Sequence, residues 1–305
     1  ALCSSGREAR AMNEPLRWHV RPQLRDPLLV LSFEGWNDAG ESATTAARYL
    51  ADQIGAAPLA EIDPELFFDF SVRRPIVTVE DGVVTDFEWP LSRFLYAAAD
   101  EAHELVIGIA IEPHLRWQLF ADQIRALFDR LQVRRAVMLG AYLADVLYSR
   151  PVGITAVASD AALLDRHKLE ATRYEGPTGV IGMLGHLLRE RGVEMLALWA
   201  GLPHYIHVTP NPRGALALLE RAAPILDVKL DLDPLRAAAR ECEQSMSKMV
   251  SDDAELAEYV RELEERSGDA GLQPLSGDEI AHEFEKYLRR RGGQAGPSAT
   301  GQSPW

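Results

Sequence analysis

The sequence predicts an α/β protein, built as a three-layer α/β/α sandwich with an acidic helical appendage at its C-terminal side. Short apolar runs of strand length, such as residues 105–111, are typical of central parallel strands. They alternate with segments of helical period, such as residues 115–131, and this alternation predicts a sheet covered by helices. Beyond residue 227 only helical periodicity remains, which predicts the appendage.

Composition limits the function classes. The chain has 305 residues, of which 47% are hydrophobic and 26% charged, with a net charge of −14. This acidity argues against nucleic acid as a partner, because phosphate backbones need clustered Lys and Arg. No apolar run reaches the ~18–20 residues that span a bilayer, so no membrane segment is expected. The two cysteines build neither a disulfide framework nor a cysteine metal site, and a reducing cytoplasm is the expected location.

The first half of the chain reads as a strand–helix unit followed by a β-rich section. A strand at residues 28–33 precedes a helix at 41–54, and further strands are expected at 59–62 and 66–70. Asp81-Gly82, flanked by the apolar runs 76–79 and 83–89, predicts a hairpin. The large residues of this section form either a buried sheet face or an exposed hairpin used for self-association; they are Phe67, Phe68, Phe70, Phe87 and Trp89.

The second half continues as alternating strands and helices. Strands are expected at 136–139, ended by Gly140, and at 154–158, 169–174 and 194–200. Residues 141–148 read as a loop or a short helix. Helices are expected at 160–167, 180–191 and 213–223, and Pro224 follows the last of them.

The strand-to-helix turn over residues 33–40 is the first candidate site. Ligands of open α/β folds dock at the carboxyl ends of strands, and this turn places polar and aromatic side chains there. Asp38 is equally suited to cap the following helix, with Glu41 as its capping-box partner. Both interpretations stay open from the residues alone. The residues singled out are Glu34, Gly35, Trp36, Asn37, Asp38 and Gly40.

A second turn precedes the helix at 180–191. Its Gly and Pro residues favour a fixed turn, and Thr178 is placed to cap the helix. If Glu34, Asp38 and Glu175 meet at the same edge of the sheet, neighbouring carboxylates can divide acid and base roles. The turn consists of Glu175, Gly176, Pro177, Thr178 and Gly179.

Complete catalytic and cofactor motifs are not visible in the sequence. No nucleophile elbow, Walker lysine or glycine-rich nucleotide loop follows a predicted strand. His204 and His207 have a spacing that suits metal ligands only on a helix, and they sit among prolines. The expectation is therefore no metal, no cofactor and no assignable catalytic residue.

Four domain segments are expected. Residues 1–13 form a flexible leader without the apolar core of a secretory signal, and residues 14–226 form the α/β core. Residues 227–290 form the helical module, which includes a third helix from residue 276. Residues 231–290 hold 16 acidic and 8 basic residues, so the module is acidic. Residues 291–305 are rich in Gly, Ser, Pro and Gln and are expected to be disordered.

Four stretches resemble, in order along the chain, the signature of the proteasome assembly chaperone 2 family in its bacterial, actinobacterial-type branch. They are residues 34–40, residues 142–146 with Arg150 and Pro151, residues 175–179, and the loop over residues 203–212. The resemblance spans about residues 14–290. It implies a three-layer sandwich similar to phosphorylase/hydrolase-like proteins, and it brings no established catalytic residues.

The resemblance favours a non-enzymatic, chaperone-like protein-interaction factor. Eukaryotic and archaeal relatives look like chaperones of 20S proteasome α-ring assembly, so the implied partners are 20S proteasome α subunits and further copies of the chain. A homo-oligomer is expected, with a trimer as one form. Some relatives dock through a C-terminal hydrophobic-Tyr-any-residue tail, from which residues 302–305 depart. The alternative is an enzyme that binds a small polar or nucleoside-like ligand at the carboxyl edge of the sheet.

Overall fold

A computed structural model describes residues 15–98 and 104–267 and confirms the α/β class. Within these residues a nine-stranded mixed sheet lies between two helical layers, and a two-stranded sheet stands apart from it. The strands are β1 (Leu16–Trp18), β2 (Leu28–Glu34), β3 (Ala57–Ile62), β4 (Ile76–Glu80), β5 (Val83–Glu88), β6 (Ser92–Ala98), β7 (Glu104–Ile111), β8 (Arg135–Ala144), β9 (Ile154–Ala158), β10 (Glu170–Ala171) and β11 (Glu194–Pro203).

The helices cover both faces of the large sheet and extend beyond it. They are α1 (Ser42–Gln53), α2 (Trp117–Leu131), α3 (Ala161–His167), α4 (Val180–Glu190), α5 (Pro212–Leu226), α6 (Asp233–Asp252) and α7 (Ala254–Ser267). None of the helices in the described ranges is both long and apolar enough to cross a bilayer.

Strand order places several carboxyl ends at one edge of the sheet. The order is β1-β3-β6-β7-β2-β8-β11-β9-β10, and β7, β2, β8 and β11 run parallel to their neighbours in this central group. β6 and β9 join this group as antiparallel strands on either side. Since parallel strands end at the same edge, the loops after β2, β7, β8 and β11 meet there.

The two faces of the sheet carry different cores. On one face, α2 and α4 bury Phe120, Ile124 and Leu184 against Phe33 and Met138 of the sheet. On the other face, α1 and α5 pack against the sheet largely through small and aliphatic residues. The buried members from these two helices are Ala43, Ala46, Ala47, Leu50, Ala51, Ala215, Leu218, Leu219, Ala222 and Leu226.

Gly214 allows α1 and α5 to approach each other closely. A Cβ at this position would lie 2.4 Å from Ser42 Oγ and 3.2 Å from Leu202 Cδ2. Only a residue without a side chain therefore fits between the start of α5 and the start of α1.

The helices after residue 227 continue the core rather than standing free of it. Leu232 and Leu235 belong to the cluster beneath α1 and α5. Farther along, α6 and α7 bury Met246, Val260 and Leu263 together with Leu147 and Ile206. The domain boundary near residue 227 stays a prediction. The leader, the third helix of the module and the C-terminal tail lie outside the described residues.

The predicted hairpin forms, and its side chains face solvent. β4 and β5 are joined by Asp81 and Gly82, both with positive φ, as a two-residue primed turn requires. Both strands are exposed along their whole length, and their hydrogen-bonded partners among the described strands are only each other. The interpretation of the hairpin as a buried sheet face is therefore wrong.

Two other strand predictions need correction. Residues 66–70 are not a strand: Pro64–Leu66 is a short 3₁₀ turn, opened by Asp63, whose carboxylate accepts a hydrogen bond from the N–H of Glu65 (2.9 Å). The apolar residues Phe67 and Phe68 nevertheless enter the core from the turn. Pro224 lies inside α5 instead of after it; its missing N–H removes one bond within the helix, which still continues to Leu226 and ends at Asp227 in a left-handed conformation.

Gly140 does not end its strand, because β8 runs through it to Ala144. Its partner on β11 is Trp199, and a Cβ at position 140 would lie 2.6 Å from the indole ring. The glycine therefore makes room for a large neighbour within the sheet.

We expect Gly140→Ala to lower the free energy of unfolding by about 1–3 kcal/mol, because the added methyl group collides with Trp199. The penalty should shrink in a Trp199→Leu background, which frees the space. Urea unfolding of the two single variants and the double variant measures this coupling. Equal penalties in both backgrounds would show that another contact is responsible.

Candidate functional site

The side chain of Glu112 joins the two predicted turns at the carboxyl edge of the sheet. Glu112 directly follows β7, and its Oε1 accepts hydrogen bonds from Asn37 Nδ2 and from the backbone N–H of Val180, both at 2.8 Å. The first donor belongs to the 33–40 turn and the second begins α4. This carboxylate thus gives α4 an N-terminal cap from a distant strand.

Glu112 was not singled out from the sequence. The only local signal is its position, an acidic residue directly after the continuous apolar run of a central strand. Its partners are 75 and 68 residues away along the chain, so no motif of neighbouring residues marks it.

Gly179 is required where the two turns touch. A Cβ at this position would lie 2.4 Å from both Asn37 Oδ1 and Nδ2, and 2.6 Å from Glu112 Oε1. Asn37 is only 1% exposed, and its Oδ1 has no hydrogen-bond partner among the described residues. Its amide therefore lies against the backbone of Gly179, which leaves no room for a ligand between them.

Asp38 caps α1 through a wider turn than the sequence suggests. Its Oδ1 accepts the N–H of Ala43 (2.6 Å), and its Oδ2 accepts the hydroxyl of Thr44 (2.5 Å). Glu41 is not its capping-box partner: it adopts a left-handed conformation, and the Asp38 N–H donates instead to the carbonyl of Gly35. Burial raises the pKa of Asp38 to about 6, although its hydrogen bonds from Thr44 and Ala43 favour the charged form.

Thr178 does not cap α4, contrary to the prediction. Gly179 occupies the cap position without a side-chain bond, and Glu112 serves the first N–H instead. Thr178 covers Gly182, where a Cβ would fall 1.8 Å from its hydroxyl oxygen. The spacing of Gly179 and Gly182 thus reflects two close contacts.

The three carboxylates considered for acid and base roles share no partner among the described residues. Glu34 forms an ion pair with Arg73 at 2.6 Å, and Asp38 is used by α1. Glu175 is exposed and makes no hydrogen bond or ion pair within the described ranges. Trp36 is 60% exposed at the tip of its turn. Gly35, Gly176, Pro177 and Thr178 also lie at the surface.

All four stretches that carry the family resemblance meet at this edge. The 33–40 turn contacts β8 through a hydrogen bond from the N–H of Ala141 to the carbonyl of Asn37 (2.8 Å). It contacts the 203–212 loop through a bond from the N–H of Asn211 to the carbonyl of Gly40 (2.7 Å). Gly40 has a φ of 56°, and a Cβ there would lie 2.8 Å from the carbonyl oxygen of Val208.

His204 lies in the 203–212 loop and joins it to the 142–146 stretch and to α7. Its Nε2 lies 2.6 Å from Asp145 Oδ1 and 2.9 Å from the Tyr259 hydroxyl, which also donates to Asp145 at 3.0 Å. The hydrogen bond with His204 lowers the pKa of Asp145, and burial raises the pKa of Tyr259. His207 is exposed. No group of three or more His, Cys, Asp or Glu side chains is placed to hold a metal ion in residues 15–98 and 104–267.

The chemistry of this edge is structural. Asn37, Asp38 and Glu112 direct their polar atoms inward, where they cap helices and join loops. Trp36 and the 175–178 segment remain on the outside. The described geometry therefore favours a rigid surface over a pocket of converging catalytic groups, and the role of these residues as a family motif or pocket stays a prediction.

Comparisons with known proteins identify the relatives of the chain. The model of the PAC2 family matches residues 32–250. A PAC2 family protein from Streptomyces avermitilis is 38% identical, with a TM-score of 0.70, and the match covers 77% of this chain and 100% of that one. A proteasome-assembly chaperone homologue from Mycobacterium tuberculosis is 39% identical, with a TM-score of 0.70 and coverage of 76% and 99%.

A more distant structure shares the fold alone. An archaeal proteasome activator from Pyrococcus furiosus is 19% identical, with a TM-score of 0.62 and coverage of 77% of this chain and 97% of that one. A search of curated proteins gives no match.

We expect Glu112→Ala to lower the free energy of unfolding by about 2–4 kcal/mol, because Asn37 and Val180 each lose a buried acceptor. Glu112→Gln keeps an oxygen acceptor and should cost less. Glu175→Ala, an exposed carboxylate of the adjoining turn, is the matched control and should change stability by less than about 0.5 kcal/mol. Urea unfolding measures all three. Similar losses for Glu112→Ala and Glu175→Ala would contradict the assignment.

The raised pKa of Asp38 predicts a pH dependence of stability. As the pH falls, the folded state takes up a proton on Asp38 before the unfolded state does. The resulting stabilisation is complete below about pH 4 and is lost as the pH rises through about 6. As the pH rises from about 4 to about 6, the wild type loses this stabilisation, whereas Asp38→Asn, which keeps an oxygen acceptor without the charge, does not. Over this range the free energy of unfolding of the variant should therefore rise, relative to that of the wild type, by on the order of 2–3 kcal/mol.

Urea unfolding at both ends of this pH range tests the prediction. Asp52→Asn changes an exposed carboxylate on the same helix and serves as the control. A difference between Asp38→Asn and wild type that does not vary with pH would show that Asp38 has an ordinary pKa.

Proposed function

The chain belongs to the PAC2 family, and on this premise we propose that it works as a non-enzymatic, chaperone-like interaction factor for 20S proteasome α subunits. The observation that carries the proposal is the match at 39% identity to the proteasome-assembly chaperone homologue, which extends over 99% of that protein. The enzymatic alternative is not favoured, because Glu34 pairs with Arg73, Asp38 caps α1, and Glu175 shares no partner with either of them among the described residues.

The surface that best suits a protein partner is the hairpin of β4 and β5. Val77 lies opposite Phe87, and Val79 lies opposite Val84 across the strands. Directly opposed residues of an antiparallel pair point to the same side, and so do residues two apart along a strand. The four side chains therefore share one face, on which each is between 47% and 59% exposed.

The base of the hairpin continues this face with aromatic rings. The ring of Trp89 lies 5.1 Å from that of Phe87 and 5.2 Å from that of Phe70, between ring centroids. An isolated two-stranded hairpin is only marginally stable in water. A contiguous exposed apolar patch, especially beside free strand edges, is typical of an interaction site.

We assign this face to a second copy of the chain, as the self-association expected from the sequence. The apolar faces of two hairpins can pack against each other, and each of β4 and β5 also has one edge without a partner strand among the described residues. In this proposal the homo-oligomer of the chain, not the single chain, contacts the 20S proteasome α subunits. We also propose a cytoplasmic location, the compartment in which its proposed partners are expected.

We expect the double variant Val79→Lys/Phe87→Glu to reduce the mass measured by light scattering to that of a monomer, because it places charges on the apolar face of the hairpin. Met249→Lys, which charges an exposed apolar residue on α6, is the matched control and should leave the mass unchanged. A wild-type protein that is monomeric at micromolar concentration, or a double variant with wild-type mass, would refute the assignment of this face.

The proteasome link is tested by pull-down of 20S α subunits with the full chain. We expect enrichment of α subunits or assembly intermediates over the level seen with the Val79→Lys/Phe87→Glu variant. A deletion strain should accumulate unassembled α subunits. Absence of enrichment together with normal proteasome assembly in the deletion strain would remove the link.

A further inference from the structure

A cleft lined by arginines opens between α1 and the base of the hairpin. Its volume is about 580 Å³, which falls in the range of small-molecule sites. One wall is the side of α1 that carries Arg48 and Asp52, and the other is formed by Arg73, Arg74 and the hairpin base. The floor is apolar and comes from the uncovered faces of β6 and β7, with Leu95, Ile109 and Ile111.

The cleft concentrates positive charge in an acidic protein. Arg48, Arg73, Arg74 and Arg93 line it, against three carboxylates, while the whole chain has a net charge of −14. Arg73 is paired with Glu34 at 2.6 Å and Arg93 with Glu88 at 2.9 Å. The charges of Arg73 and Arg93 are therefore already paired with carboxylates that line the cleft.

The other two arginines have no such partner. Arg48 and Arg74 are exposed, and neither makes an ion pair or a side-chain hydrogen bond with any residue that the structure describes. Asp52 lies one helical turn after Arg48 and still does not pair with it. Two guanidinium groups on the rim of one cleft therefore keep their donors available.

The chemistry of the lining defines the ligand. A guanidinium presents a planar fork of N–H donors that matches the two oxygens of a carboxylate or a phosphate, and it keeps its charge at any physiological pH. A bare inorganic anion would use the arginines and leave the apolar floor in water. An anion with an apolar body would use both and would gain from the burial of that body.

We propose that this cleft binds a small organic anion, with its phosphate or carboxylate group held between Arg48 and Arg74 and its apolar body on Leu95 and Ile109. The shared chemistry is an oxyanion on an apolar or aromatic body. Glu34 also lines the cleft, where its carboxylate pairs with Arg73, the chain neighbour of Arg74.

Isothermal titration of the full chain with phenyl phosphate, benzoate and inorganic phosphate tests the proposal. The first two probes separate a phosphate ligand from a carboxylate ligand. The third carries the oxyanion without the apolar body. We expect phenyl phosphate or benzoate to bind at about millimolar concentration or below, and at least one of them about tenfold more tightly than inorganic phosphate.

The variant Arg48→Ala/Arg74→Ala should weaken this binding about tenfold or more and leave the unfolding midpoint unchanged, because both side chains are exposed and unpaired. Arg130→Ala removes an exposed arginine on α2, on the opposite face of the sheet, and should bind as the wild type does. Wild-type affinity in the double variant, equal loss in the Arg130 variant, or no binding of either organic anion by the wild type would overturn the proposal.

Trp89 at the base of the hairpin also lines the cleft, so experiment must separate this proposal from the assignment of the hairpin to self-association. Light scattering of the Arg48→Ala/Arg74→Ala variant should give the wild-type mass. Binding of the organic anions by the Val79→Lys/Phe87→Glu variant at wild-type affinity would further separate the two sites.

Discussion

One carboxylate oxygen, Glu112 Oε1, holds the first strand-to-helix turn of this protein to the start of α4. The same oxygen accepts a hydrogen bond from the Asn37 side chain and caps the start of α4. The shared contact also restricts position 179. Gly179 must carry no side chain, because Asn37 and Glu112 fill the space where a Cβ would stand. Residue type at three distant positions is thus set by one contact.

The same inward orientation of polar groups extends along the whole carboxyl edge. Asp38 serves α1, Asn211 serves the start of α5, and Asp145 holds His204 and Tyr259. The bonds of Glu112 and Asp145 join segments that are far apart in the chain, whereas those of Asp38 and Asn211 are local caps that fix the starts of α1 and α5. These polar groups bond within the fold, and Trp36 and the 175–178 segment remain on the surface.

The sequence was informative where the physical cause is local. Residues 28–33 and 105–111 are recognisable as central strands because burial on both faces leaves an uninterrupted apolar run. Asp81-Gly82 marks the hairpin because few other residue pairs tolerate its backbone conformation. A cap was one of the two interpretations of Asp38, and the intervening 3₁₀ turn changed which N–H groups it serves.

The errors come from causes that are not local. Gly140 resembles a strand breaker until Trp199 is seen on the neighbouring strand. Phe67 and Phe68 have the composition of a strand, but they reach the core from a turn. Glu112 has no distinguishing neighbours, and neither its two donors nor the cleft of Arg48 and Arg74 can be assembled without the fold.

The contact between Gly214 and Ser42 has a consequence for how this family can diverge. These two positions set how closely α5 approaches α1, and α1 is also the helix that carries Arg48 into the cleft. A larger residue at position 214 moves α1 unless position 42 shrinks to compensate, so the two positions should covary among homologues. The residue at position 214 therefore affects the width of the cleft, although Gly214 does not line it.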